Sequence, residues 1–139
     1  MSELQGGCAC GKVRYRITAP LIGVGVCHCR ACQYASGGGP NYAALAPRGA
    51  LEVTEGQPKV FTQPADSGND VGRAFCGDCG TPLFSTPGGA SPIQPVRLGS
   101  LDDPSGYTPM AHVYTEAAQP WHLMHDGLPQ FAKMPPMPA

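Results

Sequence analysis

The chain has 139 residues, a formal charge of −1 and only nine lysines and arginines, scattered along its length, which fits one domain and excludes the electrostatic footprint of a nucleic-acid or anionic-lipid binder. Nineteen glycines and sixteen prolines, about a quarter of the residues, leave little apolar material for a core, yet the near-neutral charge lacks the self-repulsion of a disordered chain. Something besides hydrophobic burial is therefore expected to hold the fold together, and no run of about 18 apolar residues is present to cross a membrane.

In chain order, MSELQGGCAC reaches a first cysteine pair, Cys8 and Cys10, without an apolar leader; a reducing, cytoplasmic setting is expected, where clustered thiols serve as metal ligands more often than as bridges. Residues 13–18 alternate Val13, Tyr15 and Ile17 with Arg14, Arg16 and Thr18, the period of a half-buried strand. Further strands are expected over 22–28, 51–54, 59–63, 71–76, 82–86, 95–101 and 110–115, nearly all bounded by Gly, Pro or Asp. One or two helical turns are expected over 29–35. SGGGP at 36–40 lacks the lysine and following helix of a phosphate loop and reads as a flexible turn; DDPSG at 102–106 is a turn for backbone reasons. The domain is expected to span 1–132, with KMPPMPA at 133–139 a frayed tail.

The seven cysteines fall into CAC (Cys8, Cys10), CHCRAC (Cys27, Cys29, Cys32) and CGDC (Cys76, Cys79). Residues two apart on a strand share a face, so Cys8 with Cys10, and Cys27 with Cys29, can each address one ion. A CxxC suits a tight turn with converging thiols. Seven sulfurs divide as four plus three: a closed four-thiolate set marks a structural zinc, whereas three protein ligands leave a position for water or substrate. Spacing permits either Cys8, Cys10, Cys76 and Cys79 with Cys27, Cys29 and Cys32, or Cys8, Cys10, Cys27 and Cys29 with Cys32, Cys76 and Cys79. His28, between two candidate ligands, would point away from their ion. Arg30 reads as a solvated cation, with contact to a substrate carboxylate as the alternative. His112 reads as a hydrogen-bonded structural histidine, and Trp121 and Phe131 as covers of the core.

The stretches GGCACGKVRY (6–15), CHCRACQYASG (27–37), FCGDCGTPLF (75–84), GSLDDPSG (99–106), AHVYT (111–115), Trp121 and DGLPQF (126–131) resemble the glutathione-dependent formaldehyde-activating enzyme family, whose domain also occurs in centromere protein V. The resemblance implies a mainly β fold, one compact domain of several small coiled antiparallel sheets stitched by zinc. It implies two zinc ions per chain, a structural one on Cys8, Cys10, Cys76 and Cys79 and a catalytic one on Cys27, Cys29 and Cys32. It further implies a carbon-sulfur lyase acting on a thiol-aldehyde adduct such as S-hydroxymethylglutathione, with a small thiol, glutathione among them, as partner.

Energy scales favour the metal. A structural zinc contributes roughly 10–16 kcal/mol in small peptides, against a net domain stability of about 5–15 kcal/mol. Zinc on three thiolates carries a formal −1 and acidifies water less than a three-histidine site, so a thiol or an adduct oxygen suits its open position better than hydroxide generation. The competing expectation is a non-catalytic binding module with both sites structural, distinguished by a fourth protein ligand on the second ion. A methionine sulfoxide reductase of the B type would need a redox cysteine late in the chain, and none follows Cys79.

Overall fold

A computed structural model describes residues 3–135; residues 136–139 of the expected tail lie outside them. Among the described residues the architecture is two sheets, one of three strands in the order β1-β2-β5 and one of seven in the order β10-β3-β4-β9-β8-β7-β6. The strands are β1 (Leu4–Gly7), β2 (Arg14–Ile17), β3 (Gly23–Cys27), β4 (Asn41–Pro47), β5 (Leu51–Glu55), β6 (Lys59–Pro64), β7 (Asp70–Phe75), β8 (Pro82–Pro87), β9 (Ile93–Arg97) and β10 (His112–Val113). All pairings are antiparallel except β10 with β3, which run parallel at His112–Val26 and Val113–Cys27. Among the described residues the one α-helix, α1 (Arg30–Ala35), follows closely on β3. The protein is thus mainly β, as its alternating stretches imply.

The alternation over 13–18 becomes β2, with Tyr15 and Ile17 buried and Arg16 exposed. Arg14 reaches back over the edge to Asp102 (Nη1–Oδ1 2.9 Å), tying the first hairpin to the loop after β9. The core runs between the sheets, from Tyr15 and Ile17 to Ala44 and Ala46 of β4, Leu83 of β8 and Val96 of β9. Each fully buried aliphatic side chain contributes about 1.5–3 kcal/mol, and such residues are few here. The alanines of β4 let the layers approach closely. Gly6 does the same at the first strand, since a Cβ there would lie 2.4 Å from the Tyr15 hydroxyl oxygen and 2.4 Å from the Ser100 carbonyl oxygen. Tyr15 closes the contact by hydrogen bonding Ser100 Oγ at 2.6 Å.

Two strands escape the sequence pattern. β4 (NYAALAP) is central in its sheet, pairing β3 and β9; covered on both faces beyond the exposed Tyr42, it needs no alternation, and its alanines carry no strand preference. β1 (LQGG) is short and half glycine. The strand expected over 95–101 stops at Arg97, where a 3-10 turn, Leu98–Ser100, takes over. That expected over 110–115 keeps only His112 and Val113, because Tyr114 adopts a left-handed conformation (φ 55°, ψ 39°) and leads into a second 3-10 turn, Thr115–Ala117. Lys133, in the expected tail, accepts a backbone hydrogen bond from Tyr114 (3.2 Å). Trp121 does not cover the core. It is 64 % exposed, because residues 118–125 pass over the surface and its indole N–H is used to cap the Gly38 carbonyl at 3.0 Å. Phe131 is half-buried and bonds through its backbone to His112 (2.9 Å).

Candidate metal centres

The first cluster forms where two hairpin turns meet, one from each sheet. The β1–β2 turn carries Cys8 and Cys10, and the β7–β8 turn carries Cys76 and Cys79. Each turn closes on its first cysteine: Gly11 N–H donates to the Cys8 carbonyl (3.0 Å) and Gly80 N–H to that of Cys76 (2.9 Å). Gly80 does so at φ +80°, where a side chain would be strained. Of the two partitions that spacing permits, the fold gathers Cys8, Cys10, Cys76 and Cys79, their sulfurs within 4.8 Å of one another.

The sulfurs fit a tetrahedral thiolate site. Zinc–sulfur bonds of about 2.3 Å imply sulfur–sulfur edges of about 3.8 Å; Cys8 to Cys10 measures 3.5 Å and Cys10 to Cys76 3.7 Å. Backbone N–H groups point at sulfur, from Val13 to Cys8 (3.2 Å) and from Asp78 to Cys76 (3.4 Å), and the Val13 bond lowers the Cys8 pKa. Cys79 is drawn down to about 5, chiefly by the Thr81 hydroxyl at 3.1 Å from its sulfur. Cys8 and Cys76 are buried in the core cluster while Cys10 and Cys79 face solvent. The site therefore sits at the seam between the sheets, where an ion would join them.

The second cluster is built by consecutive residues. Cys27 ends β3, Cys29 is the N-cap of α1 and Cys32 lies in its first turn, so the strand-to-helix corner turns all three thiols inward. The Cys29 sulfur accepts the Cys32 N–H (3.4 Å) as the helix cap. Hydrogen bonds from Cys27 and then Cys32 draw the Cys29 thiol down to about 2, while the Cys27 thiol is pushed up, first by its bond to Cys29. Three thiols held this close are a set suited to exchanging their protons for a cation. Among the described residues no fourth Cys, His, Asp or Glu joins this group.

His28 faces away from these sulfurs into a buried histidine chain. Its Nε2 lies 2.9 Å from His112 Nδ1 and its Nδ1 lies 3.3 Å from His122 Nδ1. His112 Nε2 lies 2.8 Å from Asp126 Oδ2, and His122 Nε2 lies 2.6 Å from the Gly38 carbonyl. These outer acceptors place a proton on Nε2 of both rings, so His28 donates through Nε2 to His112. Burial, then the neighbouring rings, lower the His28 pKa and favour its neutral form. The Nδ1–Nδ1 contact is then lone pair against lone pair, since His122 Nδ1 already accepts the Gln119 N–H (3.0 Å). Gln33 adds a brace, its side-chain amide donating to the His28 and Ala117 carbonyls at 2.8 Å each. His112 is thus a structural, hydrogen-bonded histidine that connects the carboxyl-terminal segment to the corner bearing the three cysteines. Arg30 is exposed and lies over the Tyr34 ring, 4.8 Å from its centroid.

Three residues join this region without a spacing signal in the sequence. Tyr114 is the one non-glycine residue of positive φ among the described residues, a strained conformation of a kind that concentrates at functional sites. Burial, then the Asp66 carboxylate, with Cys27 and Cys29 beyond, push its phenol to about 12. Arg73 of β7 brings Nη1 to 4.0 Å from the Cys32 sulfur. Arg97, ending β9, donates to Ser36 Oγ at 2.6 Å, just past α1. The visible hint for the arginines is a charge placed within an otherwise apolar strand, as in VGRAF and QPVRL.

The sequence model of the family described as "Glutathione-dependent formaldehyde-activating enzyme" matches residues 3–117. Among solved structures, the crystal structure of a Rhodobacter sphaeroides protein superposes with a TM-score of 0.57, covering 91 % of this chain and 98 % of the other at 18 % identity, which is a likeness of fold. No curated protein sequence matches the chain. Among the described residues no helix is long and apolar enough to cross a membrane.

Proposed function

The chain belongs to the glutathione-dependent formaldehyde-activating enzyme family, and from that premise we propose that it is a zinc-dependent carbon-sulfur lyase, forming or cleaving a thiol-aldehyde adduct at Cys27, Cys29 and Cys32. Cys8, Cys10, Cys76 and Cys79 would hold a structural zinc, and the three-cysteine set a second, catalytic zinc. The observation that carries the reading is the asymmetry of the clusters, four sulfurs in one and three in the other, with His28 turned toward His112 and His122 instead of completing the second. Held by Cys27, Cys29 and Cys32, a zinc ion would supply a soft, open coordination position that favours the thiolate form of a thiol and polarises an adduct oxygen.

The reaction needs no oxidant. A thiol adds to an aldehyde carbonyl, the carbon–sulfur bond forms, the π pair becomes the hydroxyl oxygen's, and that oxygen takes up the proton that the sulfur lost; cleavage is the reverse. The chain's own contribution is orientation. The helix-capped corner fixes the three sulfurs, the histidine chain holds that corner against the carboxyl-terminal segment, and positioning of this kind supplies much of the gain in a two-reactant step.

The test follows the adduct by proton NMR, with formaldehyde and glutathione or a simpler thiol, comparing the zinc-loaded protein with a Cys32→Ser variant that has kept the fold. Exchange between free and bound aldehyde accelerated by the first and not by the second supports lyase chemistry. Equal exchange in both, with the second zinc retained, supports a binding module instead.

A further inference from the structure

A cavity of about 270 Å³ opens beside the three-cysteine corner, between α1 (Ala31, Tyr34) and the sheet, with Phe61 and Phe84 among its walls and Arg73 and Arg97 lining it. Both guanidinium groups come from the sheet. Arg73 lies on β7 between its cross-strand partners Phe61 and Ser85, and Arg97 closes β9 opposite Ala43. Among the described residues neither forms a salt bridge with a carboxylate; the ion pairs engage Lys12, Arg14, Arg16 and His112. The Arg73 Nε–H is buried with no hydrogen-bond partner. Burial lowers the Arg97 pKa and the nearby Arg73 charge lowers it further, while Cys32 opposes them. Two half-buried like charges facing one cavity, one with an orphan donor, are costly unless something anionic comes between them.

The thiolates supply part of that charge. Three thiolates with a divalent ion carry −1 against +2 from the arginines, which leaves one positive charge for a ligand to balance. Arg73 would serve solely as counter-ion to Cys32 if its fork were used up on sulfur, but its one contact is a 4.0 Å approach of Nη1, and Nε remains unused. Guanidinium forks match carboxylates through paired charge-assisted hydrogen bonds, and the apolar walls fit a short hydrocarbon spacer.

We propose that this cavity is a carboxylate-recognition subsite formed by Arg73 and Arg97, and that it selects thiols bearing a carboxylate within a few bonds of the sulfur. The inference rests on the reading that the three-cysteine site binds a thiol. The short span from Arg73 to the Cys32 sulfur sets the separation between the ligand's two groups, so a compact mercaptocarboxylate suffices and a full tripeptide is not required.

The test is calorimetric binding of 3-mercaptopropionate and its uncharged counterpart 3-mercaptopropan-1-ol to the zinc-loaded protein, and to the Arg73→Gln and Arg97→Gln variants with zinc content and circular dichroism checked. The wild type should favour the carboxylate by roughly 10- to 100-fold, the range of a charge-assisted hydrogen bond or two. Each variant should erase most of that preference while leaving the alcohol's affinity within about 3-fold. Equal affinity of the two thiols for the wild type overturns the subsite and leaves the thiol site standing, a result that needs no variant to fold. Equal loss of both thiols in folded variants also overturns it, assigning the arginines to the cysteines alone. If neither thiol binds the wild type, the thiol-binding reading falls and the subsite with it.

Discussion

Replacing Cys76 by serine should cost far more stability than replacing Cys32, although both thiols are buried. Cys76 and Cys10 are 66 positions apart, so an ion on the four-cysteine site closes a long loop and pins the β1–β2 turn to the β7–β8 turn. Applying the chain-entropy expression for cross-links, a loop of that length removes roughly 4 kcal/mol of denatured-state freedom. Cys29 and Cys32 are three positions apart, and the same expression gives about 1.5 kcal/mol for so short a loop. The difference of about 2–3 kcal/mol is a large part of a domain's net 5–15 kcal/mol. At this chain length it corresponds to a shift in melting temperature on the order of 10 °C. The assay is thermal unfolding by circular dichroism of the zinc-loaded Cys76→Ser and Cys32→Ser proteins at equal concentration, with zinc measured before heating. Melting temperatures that agree within about 3 °C would refute the reasoning, because the two sites would then bear equally on the fold.

Two other outcomes follow from the same geometry. His112→Ala should destabilise the protein by about 2 kcal/mol or more in urea unfolding, since it leaves a buried His28 N–H without its acceptor. The Arg14 hydrogen bond, then burial opposing it and the Arg14 charge assisting, leave the Asp102 pKa below its ordinary 3.8. The pair's contribution is therefore present above the ordinary carboxylate value and lost as pH falls through the depressed one. Both groups are partly exposed, so Asp102→Asn should cost under about 1 kcal/mol at pH 7 and nothing measurable once wild-type Asp102 is protonated, as read from urea midpoints at the two pH values.

Much of this molecule is legible in its sequence where a local rule holds. β2 is written in the alternation of Val13, Tyr15 and Ile17, and the CGDC turn in its spacing and following glycine. The four-plus-three arithmetic is visible as well, though not which cysteines join, because that depends on two hairpins from different sheets meeting. β4 is hidden for a physical reason: covered on both faces beyond the exposed Tyr42 and built from alanine, it shows neither alternation nor β-branched enrichment. The histidine chain is hidden differently. His28, His112 and His122 are brought together from positions 84 and 94 apart by the parallel β10–β3 pairing and the surface segment after it. No spacing announces such a contact, nor the convergence of Arg73 and Arg97 from β7 and β9.

The most direct test of an open three-thiolate site beside a closed four-thiolate one is cobalt substitution followed by a thiol titration. Two cobalt ions per chain are expected, and adding thiol should strengthen the sulfur-to-cobalt charge-transfer absorption in the wild type and leave the Cys32→Ser spectrum unmoved. A spectrum that already reports two saturated tetrahedral sites and does not respond to thiol would contradict the account.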